Sequence, residues 1–272
     1  MTLAFSFARK QMSRENLLVH VLGSCESMAN VSVICADKTG TLTQNEMTVV
    51  AGTIGVHAKF MRRLEENGKW AGNDDGSSPN TKDLIDLANI NAVLPHPVKD
   101  LLNAVIATNS SAFEGVDPKS GAPVFIGSKI ESALLGFAKE LGWPNYKDTR
   151  NSVDIVQMIP FSSYRKFMSC VVRLPDGSHR LYVKGASEIL AQNCTRHVVL
   201  PNSAPSANEV ETAPIGALEQ HIISTTIASH ASKALRTIAL CYRDFPSWPP
   251  KGARLLDEDE VRKAITVPVF DT

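Results

Sequence analysis

The segment "ICADKTGTLTQNEM", residues 34–47, joins the end of an apolar run to one aspartate and a cluster of small polar side chains. The β-branched run at 31–35, "VSVIC", predicts a buried strand that stops before Asp37. In open α/β sheets, the edge where such strands end binds ligands. Gly40 permits a tight turn, and nearby amides and threonine hydroxyls suit phosphate oxygens. The segment predicts a phosphate site, although Asp and Gly also occur in ordinary turns.

The carboxylate of Asp37 suits one reaction in particular. An aspartate at such a position attacks the γ-phosphoryl group of ATP in line, while Mg²⁺ and a lysine screen the repulsion between the anions. The product is an aspartyl phosphate, a known intermediate of ATPases.

The composition is that of a folded protein and excludes several classes. The chain has 272 residues, of which 43% are apolar and 21% charged, with a net charge of zero. Nucleic-acid binding through phosphate neutralisation is therefore not expected. The five scattered cysteines indicate buried small residues in a reducing compartment. The opening "MTLAFSFARK" lacks the features of a signal peptide and fits either a soluble chain or the cytoplasmic end of a cut transmembrane helix.

The rest of the chain predicts alternating helices and strands with polar loops. A helical stripe runs through 98–113, and Ser128 with Glu131 predicts a capping box at the start of the helix 128–141. Further helices are expected at 185–194 and 216–233, strands at 46–60, 153–161, 167–174, 180–184 and 235–242, and loops at 66–82 and 201–215. The turn "PDG" at 175–177 predicts a hairpin.

The full string "DKTGTLTQNEMTV", residues 37–49, resembles the phosphorylation motif of P-type cation-transporting ATPases. The resemblance implies that Asp37 is the phosphorylated nucleophile, that Lys38 and Thr39 share the catalytic site, and that Asp37 and Thr39 lie at the Mg²⁺. Thr39 takes the position of a second aspartate in related haloacid-dehalogenase-type phosphatases. Without that acid/base, the family holds its phosphoenzyme long enough to couple it to ion movement.

Two later segments resemble the adenine-binding parts of this family. "IGSKIESALL" implies that Glu131 contacts adenine, and "PFSSYRKFMS" implies that Phe161 stacks on adenine with Lys166 near the nucleotide. Many members carry an arginine two residues after this phenylalanine, where this chain has Ser163. The phosphate contact of that arginine is therefore in question, and Arg165 is the candidate to replace it.

Two more segments resemble phosphate-side parts of the same pocket. "YVKGASEIL" resembles the Lys-Gly-Ala motif of the family and implies that Lys184 lies at the base of the pocket. Gly185 would permit close approach of backbone to ligand. "LRTIALCYRD" implies that Arg236 contacts the nucleotide phosphates, which suits a guanidinium fork.

Within this family, the chain is most similar to plasma-membrane-type calcium ATPases in their fungal, vacuolar form. The resemblance implies an α/β (α+β) fold: an antiparallel twisted sheet flanked by helices, plus the first strand of an incomplete Rossmann-like phosphorylation domain. The expected parts are the end of a transmembrane helix or stalk with a linker (1–30), the start of the phosphorylation domain (31–46), the nucleotide-binding domain (47–250) and a return hinge (251–272). We expect 31–45 to be poorly supported.

Two functions remain open at this stage. The chain is part of a membrane Ca²⁺-transporting ATPase that uses ATP and Mg²⁺, with this region on the cytoplasmic side, or it is a stand-alone soluble nucleotide-binding fragment. Na⁺ is the alternative cation, and a pseudogene product that binds nothing is a weaker third reading. Ca²⁺ and the membrane would be partners only in the intact pump. The dephosphorylating and Mg²⁺-binding motifs of the family are not expected within these residues, so the chain alone should not turn over.

Overall fold

The computed structural model describes residues 2–21, 23–37, 41–43, 46–62, 84–117, 121–200 and 209–250. The chain divides into two compact units, Met1–Glu46 (unit 1) and Met47–Thr272 (unit 2). The described α-helices are α1 (Thr2–Arg14), α2 (Ser24–Ala29), α3 (Ile90–Val93), α4 (His96–Thr108), α5 (Lys129–Glu140), α6 (Tyr146–Asn151), α7 (Ser187–Asn193) and α8 (Ala217–Ser232). The described strands are β1 (Ala51–Ile54), β2 (Ala58–Met61), β3 (Leu84–Asp86), β4 (Phe113–Val116), β5 (Pro123–Ile126), β6 (Asp154–Ile159), β7 (Phe167–Arg173), β8 (His179–Ala186), β9 (Arg196–Val198), β10 (Thr212–Pro214) and β11 (Ile238–Phe245).

Unit 1 contains α1 and α2, and the strand predicted at 31–35 is not formed there. Val33 and Ile34 are 73% and 85% exposed, and residues 31–37 have no regular secondary structure. A strand is stabilised by a hydrogen-bonded neighbour, and the described part of unit 1 contains no other strand. The β-branched run alone was therefore a misleading signal. Among the described residues, no helix is both long enough and apolar enough to span a membrane.

The centre of unit 2 is a four-stranded antiparallel sheet with the strand order β11-β8-β7-β6. The mixed α/β architecture, with antiparallel sheets flanked by helices, confirms the expected fold class. The hairpin of β7 and β8 forms as predicted, with a turn in which the Leu174 N–H donates to the Ser178 carbonyl over 2.8 Å.

Both faces of β7 and β8 are buried, because these two strands separate two apolar cores. Alternate side chains on the two strands point to opposite faces. The larger core receives Cys170, Val172 and Tyr182 together with side chains of α4 and α5. The smaller core contains Phe167, Val171, Leu181, Val183, Leu190 and Phe245. Burial on both faces explains why 167–172 is almost uniformly apolar and not alternating.

The segment 46–60, predicted as one strand, is instead an antiparallel hairpin of β1 and β2. The chain reverses at Gly55, whose φ of +63° lies in the left-handed region that glycine tolerates. A Cβ at this position would overlap the carbonyl oxygen of Val198 on β9. The sequence pattern also missed the short strands β3, β9 and β10 and the hairpin of β4 and β5, each of which is at most four residues long.

Gly55→Ala should destabilise unit 2 by about 3 kcal/mol, because left-handed backbone strain adds to the clash with Val198. Equilibrium unfolding in urea measures this loss. The matched control is Gly142→Ala, since Gly142 has a φ of +68° but open space around its missing Cβ. That variant should lose about 1 kcal/mol, from strain alone. Equal losses in the two variants would show that the Val198 contact is unimportant.

Candidate functional site at one end of the sheet

The segments predicted to bind nucleotide meet at one end of the four-stranded sheet. β6 and β8 end there, and β7 and β11 begin there, as the Cα pairs Phe167–Gly185 and Ile238–Ala186 show. Phe161 follows the last residue of β6 by two positions, and Arg236 precedes β11 by two. Three separate stretches of sequence are thereby brought to one end of the sheet.

The loop between β6 and β7 is fixed by its own hydrogen bonds. The Lys166 N–H donates to the Ser162 carbonyl over 2.7 Å, and the Arg165 guanidinium donates to the Pro160 carbonyl over 2.8 Å. Lys166 has a φ of +63°, an uncommon conformation for a non-glycine residue. The Phe161 side chain is 61% exposed at this end of the sheet.

Arg165, the candidate to replace the family arginine at Ser163, is engaged within the protein. Its guanidinium lies 5.8 Å from the centroid of the Phe167 ring, in addition to its bond with Pro160. In this structure Arg165 therefore holds the loop that carries Phe161. A phosphate contact from Arg165 would require it to leave these partners.

Gly185, near the end of β8, lies directly against the backbone at the start of β7. A Cβ at Gly185 would lie 2.5 Å from the Lys166 carbonyl oxygen and 2.5 Å from Phe167 Cβ. The adjacent Ala186 N–H donates to the same Lys166 carbonyl over 3.0 Å. The close approach that sequence assigned to a ligand is made here by the protein backbone.

Glu131 and Lys184 form a buried ion pair between α5 and β8. The Lys184 ammonium lies 2.9 Å from Glu131 Oε1, and each side chain is only 6% exposed. Lys184 also donates to the Asn109 carbonyl over 2.6 Å. The Ser111 hydroxyl donates to Glu131 Oε2 over 2.9 Å. Burial of both charges is thus accompanied by hydrogen bonds to each of them.

The predicted capping box at α5 is wrong, although Ser128 is the N-cap residue. The Ser128 side chain makes no capping hydrogen bond within the described part of the chain. Both oxygens of Glu131 are instead engaged by Lys184 and Ser111. A charged partner outcompetes a backbone N–H, because charge-assisted hydrogen bonds are the stronger ones.

The two members of the pair respond to burial in different ways. Burial alone would raise the pKa of Glu131, but the Lys184 charge and the hydrogen bonds from Lys184 and Ser111 outweigh it, so the pKa is lowered. Burial lowers the pKa of Lys184, and the Glu131 charge only partly opposes this. Glu131 therefore contributes stability above its ordinary pKa that is lost as the pH falls through its folded value.

Two polar residues that sequence reasoning missed support this pair. Asn109, at the end of α4, is buried and donates through Nδ2 to the carbonyls of Met168 and Tyr182, over 3.3 and 3.4 Å. Arg150 donates to the carbonyls of Ala107 and Ala112 over 2.6 and 2.9 Å. The signal available was the polar run that follows the apolar stripe of α4, "TNSS" at 108–111.

The phosphorylation segment gives less geometry. Asp37 is exposed in unit 1, whereas Lys38 and Thr39 lie outside the described residues. The catalytic set of Asp37, Lys38 and Thr39, and the Mg²⁺ contacts of Asp37 and Thr39, remain predictions. Arg236 and Lys166 are both exposed, and Thr237 beside Arg236 is held by a 2.6 Å hydrogen bond from the Ser187 hydroxyl.

Comparison with known proteins identifies the family. The family model described as "P-type ATPase, cytoplasmic domain N" matches residues 97–268. The chain belongs to the P-type ATPases. This match covers α4 to β11, and therefore the whole of the sheet end described above.

The relatives of this P-type ATPase domain have calcium in their names. The chain is 51% identical over 262 residues to calcium-transporting ATPase 2 of Cryptococcus neoformans var. grubii, covering 96% of the chain and 18% of the relative. It is 40% identical over 265 residues to calcium-transporting ATPase 2 of Schizosaccharomyces pombe, covering 95% and 19%. It is 34% identical over 253 residues to plasma membrane calcium-transporting ATPase 1 of Mus musculus, covering 92% and 18%. The chain thus spans less than a fifth of the length of these relatives.

A double-mutant cycle should show that Glu131 and Lys184 depend on each other. Glu131→Gln or Lys184→Met alone should cost about 3–5 kcal/mol of folding free energy, because each leaves a buried charge without its partner. The double variant should lose clearly less than the sum. Urea unfolding at neutral pH measures all three values.

The control for this cycle is Lys139→Met. This substitution removes the ion pair between Lys139, which is also on α5, and Glu114 on β4. The Lys139 side chain in that pair is 59% exposed. Solvent screens such a pair, so the unfolding midpoint should change little. Additive losses at Glu131 and Lys184 would contradict the proposed coupling.

Proposed function

We propose that unit 2 binds ATP at the end of the sheet formed by β6, β7, β8 and β11. One observation supports this proposal. An exposed aromatic ring, two exposed cations and a buried ion pair all lie at this end of the sheet. Phe161 offers a face for adenine, and such stacking contributes about 1–3 kcal/mol per base. Lys166 and Arg236 are free to approach the phosphates from the surface, since both side chains are exposed.

The buried pair gives the base of this pocket a fixed polarity. The Lys184 ammonium has one N–H beyond those that bind Asn109 and Glu131, and Glu131 Oε2 can accept a second hydrogen bond besides that from Ser111. A heterocycle with both donors and acceptors along its edge suits such a pair. The proposed adenine site is therefore built on α5 and β8, which are regular elements, with only Phe161 and Lys166 contributed by a loop.

In the intact pump, we propose that this ATP phosphorylates Asp37. The Asp37 carboxylate would attack the γ-phosphorus, the bond between that phosphorus and the bridging oxygen would break, and ADP would leave. Mg²⁺ would be held mainly by the phosphates and by the carboxylate of Asp37, since Mg²⁺ is usually bound by one or two carboxylates together with substrate phosphates. The exposure of Asp37 is compatible with approach of a nucleotide.

The activity of the whole protein follows from its relatives by analogy. They are named calcium-transporting ATPases, so we propose that the full-length protein uses the aspartyl phosphate to drive Ca²⁺ across a membrane. The chain described here would then supply the nucleotide-binding part of that pump together with Asp37, on the cytoplasmic side.

Phe161→Ala should weaken ATP binding by about tenfold, because it removes a stacking face from an exposed position where little folding stability is lost. Isothermal titration of the full chain with MgATP measures the change. Tyr164→Ala is the matched control, since Tyr164 is 54% exposed on the same loop and has no proposed contact. It should change the affinity by less than about twofold. Equal effects of the two substitutions, or no saturable binding by the folded chain, would refute the proposed pocket.

A second comparison separates the two ends of the nucleotide. Lys166→Gln and Arg236→Gln should each weaken ATP several-fold and leave adenosine unaffected, because adenosine has no phosphates. Phe161→Ala should weaken both ligands. The same titration gives all of these values. If the cation variants weakened adenosine as much as ATP, their role would be structural.

A further inference from the structure

Two thiols from different parts of the fold are in contact in unit 2, and one of them, Cys241, packs against the smaller core. Cys194 follows the end of α7, and Cys241 lies within β11. Their sulfur atoms are 3.4 Å apart although the residues are 47 positions apart in the chain. α7 packs against both β8 and β11, so the elements that carry the two thiols are held together by the fold. A disulfide bond of about 2.05 Å requires only a small further approach of the sulfurs.

The two thiols also differ from each other in acidity. The hydrogen-bonding contact between the two sulfur atoms lowers the pKa of Cys194. The same contact, followed by burial, raises the pKa of Cys241 well above its ordinary value. One partner is therefore disposed to react as a thiolate, and the other is held beside it as a thiol.

Cys170 and Cys35 do not share this arrangement. Cys170 is fully buried, as the sequence predicted, and burial raises the pKa of its thiol to about 11. Cys35 is exposed in unit 1, contrary to the prediction that the cysteines are buried. Cys194 is only partly buried, so a small oxidant has access to it.

We propose that Cys194 and Cys241 form a reversible intrachain disulfide in the presence of a hydroperoxide. The Cys194 thiolate attacks one peroxide oxygen, the O–O bond breaks, and a sulfenic acid forms with release of hydroxide. The Cys241 sulfur then attacks the sulfenic sulfur, its proton leaves with the displaced oxygen as water, and the S–S bond forms. Sulfur is oxidised and peroxide oxygen is reduced, and two thiols plus hydrogen peroxide give one disulfide and two waters. A dithiol reverses the change by thiol–disulfide exchange.

The proposed bond would close a long loop that contains α8. It would link the end of α7 to β11. The helix α7 begins two residues after Gly185, and the strand β11 begins two residues after Arg236. A disulfide that closes a loop of this length stabilises a protein chiefly by restricting the unfolded chain. The oxidised chain should therefore melt at a higher temperature than the reduced chain.

The test uses the full chain, treated with hydrogen peroxide, alkylated and digested for peptide mass spectrometry. We expect a peptide pair joined through Cys194 and Cys241 that separates on reduction with dithiothreitol. The melting temperature should rise by about 5 °C and return after reduction. Cys194→Ser should abolish both changes, whereas Cys170→Ser should retain the linked peptides.

Three results would overturn the proposal. Conversion of Cys194 to sulfinic acid without linkage would show that Cys241 does not intercept it. Linkage of Cys194 to a different cysteine, or two unmodified thiols after Cys35 has been oxidised, would show that the contact is not a reactive pair. Because the peptide map is read on the unsubstituted chain, the result does not depend on the folding of any variant.

Discussion

The ammonium of Lys184 can be buried in unit 2 only because a carboxylate and a backbone carbonyl lie beside it. Removing a charge from water costs several kcal/mol, and an unpaired lysine at this position would lose its proton or unfold its surroundings. The attraction to the Glu131 carboxylate offsets this desolvation cost, and the ion pair joins α5 to β8. Asn109 extends the connection to the end of α4. The Lys184 ammonium therefore connects three elements, α4, α5 and β8.

We propose that this pair determines where a ligand is recognised. Away from this end, the middle of β7 and β8 is apolar on both faces, with Val171, Leu181 and Val183 on one face and Cys170 and Val172 on the other. Specific hydrogen bonding needs polar groups that are already oriented, and the end of the sheet supplies them next to the exposed ring of Phe161. Gly185 brings β7 and β8 close together at the same place. The proposed site is thus a consequence of how the sheet ends.

The sequence predicted the longer elements of unit 2 well, because an apolar helical stripe and a continuous apolar strand are clear signals. It failed where tertiary contacts decide. The run at 31–35 has strand propensity but no described partner strand, and the segment 46–60 turns back at Gly55, where the backbone takes a positive φ. Glu131 leaves its expected cap because Lys184, 53 positions away, attracts it more strongly. Asn109 and Arg150 were missed because their roles are to bind backbone carbonyls that sequence does not place nearby.

We propose that nucleotide is recognised at the end of the sheet where Glu131 and Lys184 are paired. The most direct test is a titration of the isotopically labelled chain with MgATP, followed through backbone amide NMR shifts. We expect the largest shifts at 161–166, at 184–187 and at 236–237. The opposite end of the same strands, around the ion pair of Arg180 and Asp244, should shift little. Shifts concentrated around Arg180 and Asp244, or an absence of shifts at saturating ATP, would contradict the account.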